Sequence, residues 1–247
     1  MSNLANLSRN GPVATLTINR PDARNALSID LLAALHDRLD ELERTPTPVT
    51  VLTGEGRAFC AGMDLKQVLA GYDTAYELLS SLGALTLRLR SLPSVVVAKV
   101  NGAAIGGGCG LVSVCDIALT HENAKLGFPE VELGLCPAVV APWVVRKVGP
   151  GRARRVLLLG GVMDGARAAE AGLVDILTPT TDDLDEETDA LAERLASGGP
   201  EAMAATKGLL NKIDGSDDRD LITEGARLSA QMVSEPEAQA RLKARFG

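Results

Sequence analysis

One carboxylate stands out by its neighbours. Glu130 sits between Phe128-Pro129 and Val131, with Leu133 just beyond. A carboxyl drawn into apolar surroundings is harder to ionise, so its pKa rises toward neutrality and it can both take and give a proton. A glutamate paired with a surface arginine would look much the same in sequence, so position alone leaves both open. Glu132, two residues on, reads as a surface or supporting charge. A second chemical feature is Gly106-Gly107-Gly108, which follows Asn101-Gly102 and Ala103-Ala104-Ile105 and opens an apolar helix. The first amides of a helix lack internal partners and carry the positive end of its dipole. Without a Cβ in the way, an oxygen can approach them, as phosphate does or as a carbonyl turning into an oxyanion does. Close packing of helix on sheet would also account for three glycines. The third feature is Ala61-Gly62-Met63-Asp64-Leu65-Lys66, where Gly62 permits an unusual backbone angle just before Met63. A second amide could thereby be aimed at the same place.

Other chemistries find little support. There is no G-x-G-x-x-G or G-K-[ST] run for a nucleotide, and no G-x-S-x-G elbow for a serine nucleophile. His36 falls in mid-helix and is expected to be exposed; His121 follows a strand and starts a turn. A Cys/His hydrolase built from Cys60 or Cys109 with His121 has no local motif behind it. The four cysteines, Cys60, Cys109, Cys115 and Cys136, have neither zinc spacing nor a disulfide framework. The acidic run from Asp182 to Glu187 lacks the glycine and spacing of a calcium loop and reads as a helix start. No metal and no separate cofactor are expected. A net charge of −7 argues against nucleic acid or a membrane surface as partner. No run reaches membrane-spanning length and no signal-peptide pattern is seen, so the expected compartment is the reducing cytoplasm.

These features need elements to hold them. Val13 to Ile18 alternates as a first strand, and Val49 to Thr53 and Val95 to Val100 are apolar enough to be buried strands. Ser28 is a cap for a helix whose Leu31, Leu35, Leu39 and Leu42 share one face. Tyr72 to Arg90 is helical, a helix begins within Ala138 to Val145, and another spans Gly151 to Gly160. Leu173 to Leu177 reads as a strand. Repeated strand–helix alternation implies an α/β fold with mostly parallel strands. Ser197-Gly198-Gly199-Pro200 is a hinge, so residues 1–196 are expected to form the core and 197–247 a helical region.

Taken together, the motifs resemble those of the crotonase superfamily, the enoyl-CoA hydratase/isomerase family. The likeness covers nearly the whole chain. It rests on Arg20-Pro21 with Asn25-Ala26-Leu27, on Phe59 to Leu65, and on Asn101-Gly102 with Gly106-Gly107-Gly108. Cys115-Asp116-Ile117, Phe128-Pro129-Glu130 with Gly134, and Ala169 to Val174 complete it. The resemblance implies a spiral of ββα units with a C-terminal helical trimerisation region, assembled as a homotrimer or a hexamer of paired trimers. It implies an acyl-CoA thioester as substrate, with its carbonyl oxygen between the backbone N–H groups of Met63 and Gly107. Ala61, Asp64, Leu65, Lys66, Gly106 and Gly108 would contact substrate, Lys66 near the nucleotide part, and Glu130 would be the catalytic acid/base. Lys243 and Phe246 could reach a neighbour's adenine pocket. The family's hydratases carry two glutamates; the first would fall at position 110, which is Gly110 here. One carboxylate alone suits moving a double bond from the 3- to the 2-position. A hydratase-like branch also has glycine there, with an apolar stretch like Pro137 to Pro142. The expectation is therefore hydration of an enoyl-CoA, with isomerisation or inactive acyl-CoA binding as alternatives.

Overall fold

The computed structural model describes residues 4–246; the side chain of Phe246 lies outside the described residues. β1 (Ala5–Asn10) runs antiparallel to β2 (Val13–Ile18). In β2 every second side chain, Ala14, Leu16 and Ile18, is buried, as a half-covered strand requires. β3 (Val49–Gly54), β5 (Val95–Val100), β7 (Ile117–His121) and β10 (Ile176–Thr178) extend this sheet in parallel, in the order β1-β2-β3-β5-β7-β10. A second sheet joins β4 (Ala58–Cys60), β6 (Ala103–Ile105), β8 (Lys125–Gly127) and β9 (Val162–Asp164) in that order. Successive strands alternate between the sheets, β3 then β4, β5 then β6, β7 then β8, and helical chain returns after each pair. This is the spiral of ββα units.

The continuous apolar run in β5 has a direct cause. Val96, Ala98 and Val100 enter the main core, while Val97 joins Val49, Val51 and Leu119 in a smaller one beneath α8 (Thr181–Ala196). Both faces are covered, so the run is apolar on both, except where Lys99 reaches out from the second face to pair with Asp185 of α8. α1 (Ile29–Arg44) buries its leucines, and the Ser28 hydroxyl accepts from the Leu31 amide at 3.2 Å. The acidic run is the start of α8, where Thr180 and Asp183 cap each other reciprocally.

Several expectations shift. β1 precedes the strand expected to be first, and the three-residue strands β4, β6 and β9 are additions to the expected elements. The strand expected over Leu173 to Leu177 starts only at Ile176. Leu173 instead closes α7 (Gly165–Ala171), its amide donating to the Ala168 carbonyl past a left-handed Gly172. The helix expected within Ala138 to Val145 is α5 (Ala141–Val148), and α6 (Pro150–Leu159) follows it. His36 is half-buried, its ring nitrogens facing the Ser81 carbonyl at 3.2 Å and Arg88 at 3.1 Å; burial lowers its pKa. His121 is the buried last residue of β7.

After residue 199 come α9 (Pro200–Ile213), α10 (Arg219–Ser234) and α11 (Pro236–Phe246). α10 lies along α3 (Tyr72–Ser91) of the same chain, where Gly83 leaves room for Ile222. α9 is anchored by buried Lys207, whose ammonium donates to Asp116 at 2.7 Å and to the Ser94 carbonyl at 2.9 Å. Leu209, Leu210 and Ile213 on α9, and Leu158 and Leu159 on α6, remain exposed.

Candidate active site

The first wall of the site grows from the chain between β2 and α1. Asn25 is fully buried with φ +58°, a conformation asparagine tolerates better than most residues. Its carboxamide accepts from the Arg20 amide at 2.8 Å and donates to the Ala58 and Glu55 carbonyls at 2.7 and 3.0 Å. Leu27 then pairs with the loop after β4, its amide donating to the Gly62 carbonyl and its carbonyl accepting from the Asp64 amide. Those bonds use one edge of the loop. The Met63 amide between them points the other way and donates to no protein acceptor among the described residues. Asp64 caps the short α2 (Leu65–Val68) and pairs with Arg20 at 2.7 Å.

Gly106 ends β6 with φ +54° and serves as N-cap of α4 (Gly107–Val114). Its own amide donates to the Gly127 carbonyl at 2.8 Å. Gly107 is the first residue of that helix, and its N–H likewise finds no acceptor among the described residues. The two loops touch. A Cβ at Gly62, where φ is +94°, would lie 2.8 Å from the Ile105 carbonyl oxygen and 3.8 Å from the Gly107 nitrogen. Two unpartnered N–H donors from distant segments are thus brought side by side.

Glu130 faces them. It lies in a 3-10 turn spanning Pro129–Leu133, and its Oε1 sits 2.7 Å from where a Cβ on Gly106 would begin. Any larger residue at 106 would strike the carboxyl. Oε2 is buried without a hydrogen-bond partner. Burial pushes the Glu130 carboxyl up to about 7, opposed only by the glutamate's own backbone amide. No arginine pairs with it, so the surface-ion-pair alternative does not hold.

A cavity of about 580 Å³ joins these groups. Ala61, Met63, Asp64, Leu65, Lys66, Gly106, Gly107 and Glu130 all line it. Gly108 does not. It faces away into the packing of α4 on β4, where a Cβ would meet the Cys60 carbonyl oxygen at 2.1 Å. Gly110 is also closed off: a Cβ there would lie 2.2 Å from Cγ1 of Val140. That valine occupies the space a side chain at 110 would need. Sequence reasoning missed the rest of the lining, notably Leu79 and Leu82 of α3, Val139 and Val140, and Ser229 and Val233 of α10. The apolar stretch from Pro137 was a signal for the valines; α10, an ordinary amphipathic helix, offered none. Ser229 staples the 136–138 segment, its hydroxyl donating to the Cys136 carbonyl at 2.8 Å and accepting from the Ala138 amide at 3.1 Å.

The cysteines do not compete for a catalytic role. Burial pushes the Cys60 thiol up to about 12 and raises those of Cys109 and Cys115 as well, so they stay protonated near neutral pH. Among the described residues no group of three or more His, Cys, Asp or Glu side chains is placed to hold a metal ion.

An alternating two-sheet spiral around a cavity of this kind defines the crotonase fold. Solved structures agree. An enoyl-CoA hydratase from Mycobacterium avium superposes with a TM-score of 0.88 at 32% identity, covering 100% of this chain and 97% of that one. An enoyl-CoA hydratase/isomerase from Mycobacterium paratuberculosis gives 0.87 at 28% identity, covering 99% of each. The enoyl-CoA hydratase/isomerase family model matches residues 8–245, and the chain belongs to that family of enzymes. Among curated relatives, the 2,3-dehydroadipyl-CoA hydratase of Escherichia coli is 37% identical over 83% of this chain and 81% of its own. An enoyl-CoA hydratase of Alternaria alternata is 34% identical over 92% of this chain and 76% of its own.

Proposed function

We propose that the cavity binds an enoyl-CoA with its thioester oxygen between the Met63 and Gly107 amides, and that Glu130 carries the proton. The observation that carries this is a buried Glu130 Oε2 without a partner, in the same cavity as two N–H groups that also lack one among the described residues. Addition of water runs as follows. Glu130 takes a proton from water as the water oxygen bonds to C3. The electrons of the C2=C3 bond move onto the thioester oxygen, where the two amides stabilise the charge. Glu130 then returns the proton to C2. Each donor in such a site is worth about 3–4 kcal/mol in the transition state. A carboxyl whose pKa lies at about 7 suits both halves of the exchange.

A second reading is favoured by one observation: Val140 fills the space over Gly110, and among the described residues Glu130 is the one carboxylate lining the cavity that is not paired with an arginine, Asp64 being held by Arg20. Isomerisation needs no more. Glu130 would remove a proton from C2 of a 3-enoyl thioester and return it at C4. Matched 2- and 3-enoyl-CoA in heavy-oxygen water separate the two. Label in a 3-hydroxyacyl product establishes hydration; a moved double bond without label establishes isomerisation. Binding without any product would leave an acyl-CoA binder.

Lys66 at the rim suits the nucleotide part of coenzyme A, which is part of the substrate; no separate cofactor enters the reaction. The exposed leucines of α6 and α9 support assembly as a homotrimer or a pair of trimers. Among the described residues no helix is long and apolar enough to cross a membrane, and a cytoplasmic enzyme is the proposal consistent with three buried free thiols.

A further inference from the structure

The cavity separates its charges by depth. Arg24 and Lys66 line it and are exposed, and Arg20, part-exposed, is already committed to Asp64. All three therefore belong to its mouth. The deep lining is apolar: Leu82, Val139, Val140 and Val233 are each buried to 5% exposure or less. Among the lining residues on that side only Ser229, Cys136 and Glu130 offer polar side-chain atoms. The Ser229 hydroxyl is already bonded to the 136–138 backbone as both donor and acceptor. Among the described residues no lysine, arginine or histidine lines the deep end, and the one charged group there is an acid.

We infer that the acyl group taken here is an uncharged aliphatic one, and that an acyl chain ending in a carboxylate is rejected. This inference rests on the acyl-CoA reading of the cavity and narrows it. The E. coli relative, named for a hydratase of 2,3-dehydroadipyl-CoA, marks the contrast, because that substrate ends in a carboxylate. Burying an ionised carboxylate with no cation and no free donor is costly, and a second acid nearby adds repulsion. An alkyl end instead gains by removing apolar surface from water against the same four side chains.

The test compares two six-carbon acyl groups differing only at the far end. Binding is measured by calorimetry with unreactive hexanoyl-CoA and adipyl-CoA, and turnover with hex-2-enoyl-CoA and 2,3-dehydroadipyl-CoA. Expected is roughly 100-fold weaker binding, and a similar loss in kcat/KM, for the carboxylate-ended member. A ratio below about tenfold in binding overturns the inference. Tight binding of hexanoyl-CoA without turnover of either enoyl ester would count against the catalytic reading alone. If neither saturated ester binds, the acyl-CoA reading and this inference fail together. A Val233→Lys variant gives an independent check: it should narrow the adipyl/hexanoyl binding ratio while weakening hexanoyl-CoA. A ratio that stays unchanged in a folded variant would place the acyl end elsewhere and sink the assignment.

Discussion

The two walls of the cavity are built on opposite principles. On the amide side, the residues behind Met63 are tied into a nearly saturated polar network: Asn25 makes three hydrogen bonds from a fully buried carboxamide, and Arg20 holds Asp64. On the acid side, Pro129 to Val140 is mostly apolar and leaves Glu130 Oε2 without a partner. One wall satisfies its polar groups so that two amides can be left over in fixed positions. The other withholds satisfaction from its one carboxyl, which keeps that group near its protonation midpoint at neutral pH. Preorganised donors and a poised acid are different requirements, and the chain meets them with different chemistry.

That contrast can be broken most strongly at Glu130. A Glu130→Gln variant is expected to lose about 10³-fold in kcat while retaining acyl-CoA binding, as shown by turnover and calorimetry. The same variant should gain stability. The folded carboxyl has its pKa raised from 4.5 to about 7, so in the wild type stability falls as pH rises between those values and the full cost is present above them. At pH 8 the glutamine variant is expected to be more stable by up to about 3 kcal/mol, with little difference at pH 4, measured by denaturant unfolding at both pH values. A variant that lost stability at pH 8 would mean the carboxylate is satisfied after all. The wild-type rate of any step needing the free carboxylate should drop about tenfold per pH unit below 7.

Asn25→Ala probes the opposite wall and should show the opposite pattern. Removing a buried amide that serves three backbone groups is expected to cost about 2–3 kcal/mol, read as a fall of roughly 5–10 °C in Tm. Activity at low temperature should decline less than stability does. If Asn25→Ala left Tm unchanged, the amide wall would not depend on its network. The smallest effect belongs to the rim. Lys66 is exposed, and Lys66→Ala should raise KM by about three- to fivefold with kcat unchanged, and the rise should shrink in high salt.

An apolar setting for Glu130 was legible from Phe128, Pro129, Val131 and Leu133 beside it in the chain, whereas its approach to Gly106, well separated in sequence, was not. The amide pair was legible because Gly62 and Gly106–Gly107 mark their positions wherever the fold brings them. The lid of Val140 over Gly110 was not, since it depends on how closely a loop approaches a helix from which it is well separated in sequence. Nor were Ser229 and Val233, whose helix has the same pattern whether it covers a cavity or a surface. The short strands β4, β6 and β9 escaped for a related reason. Three residues are too few for a period, and only the second sheet gives them partners.

The contact between Val140 and Gly110 also constrains how this enzyme can change. An ancestor or laboratory lineage adding an acid at 110 first would force it against a branched side chain and pay in folding. Shrinking the valine first leaves a void that can be tolerated until the acid arrives. Of the two mutational orders the second meets the smaller steric obstacle, so Val140 tends to hold this chain to its glycine at 110.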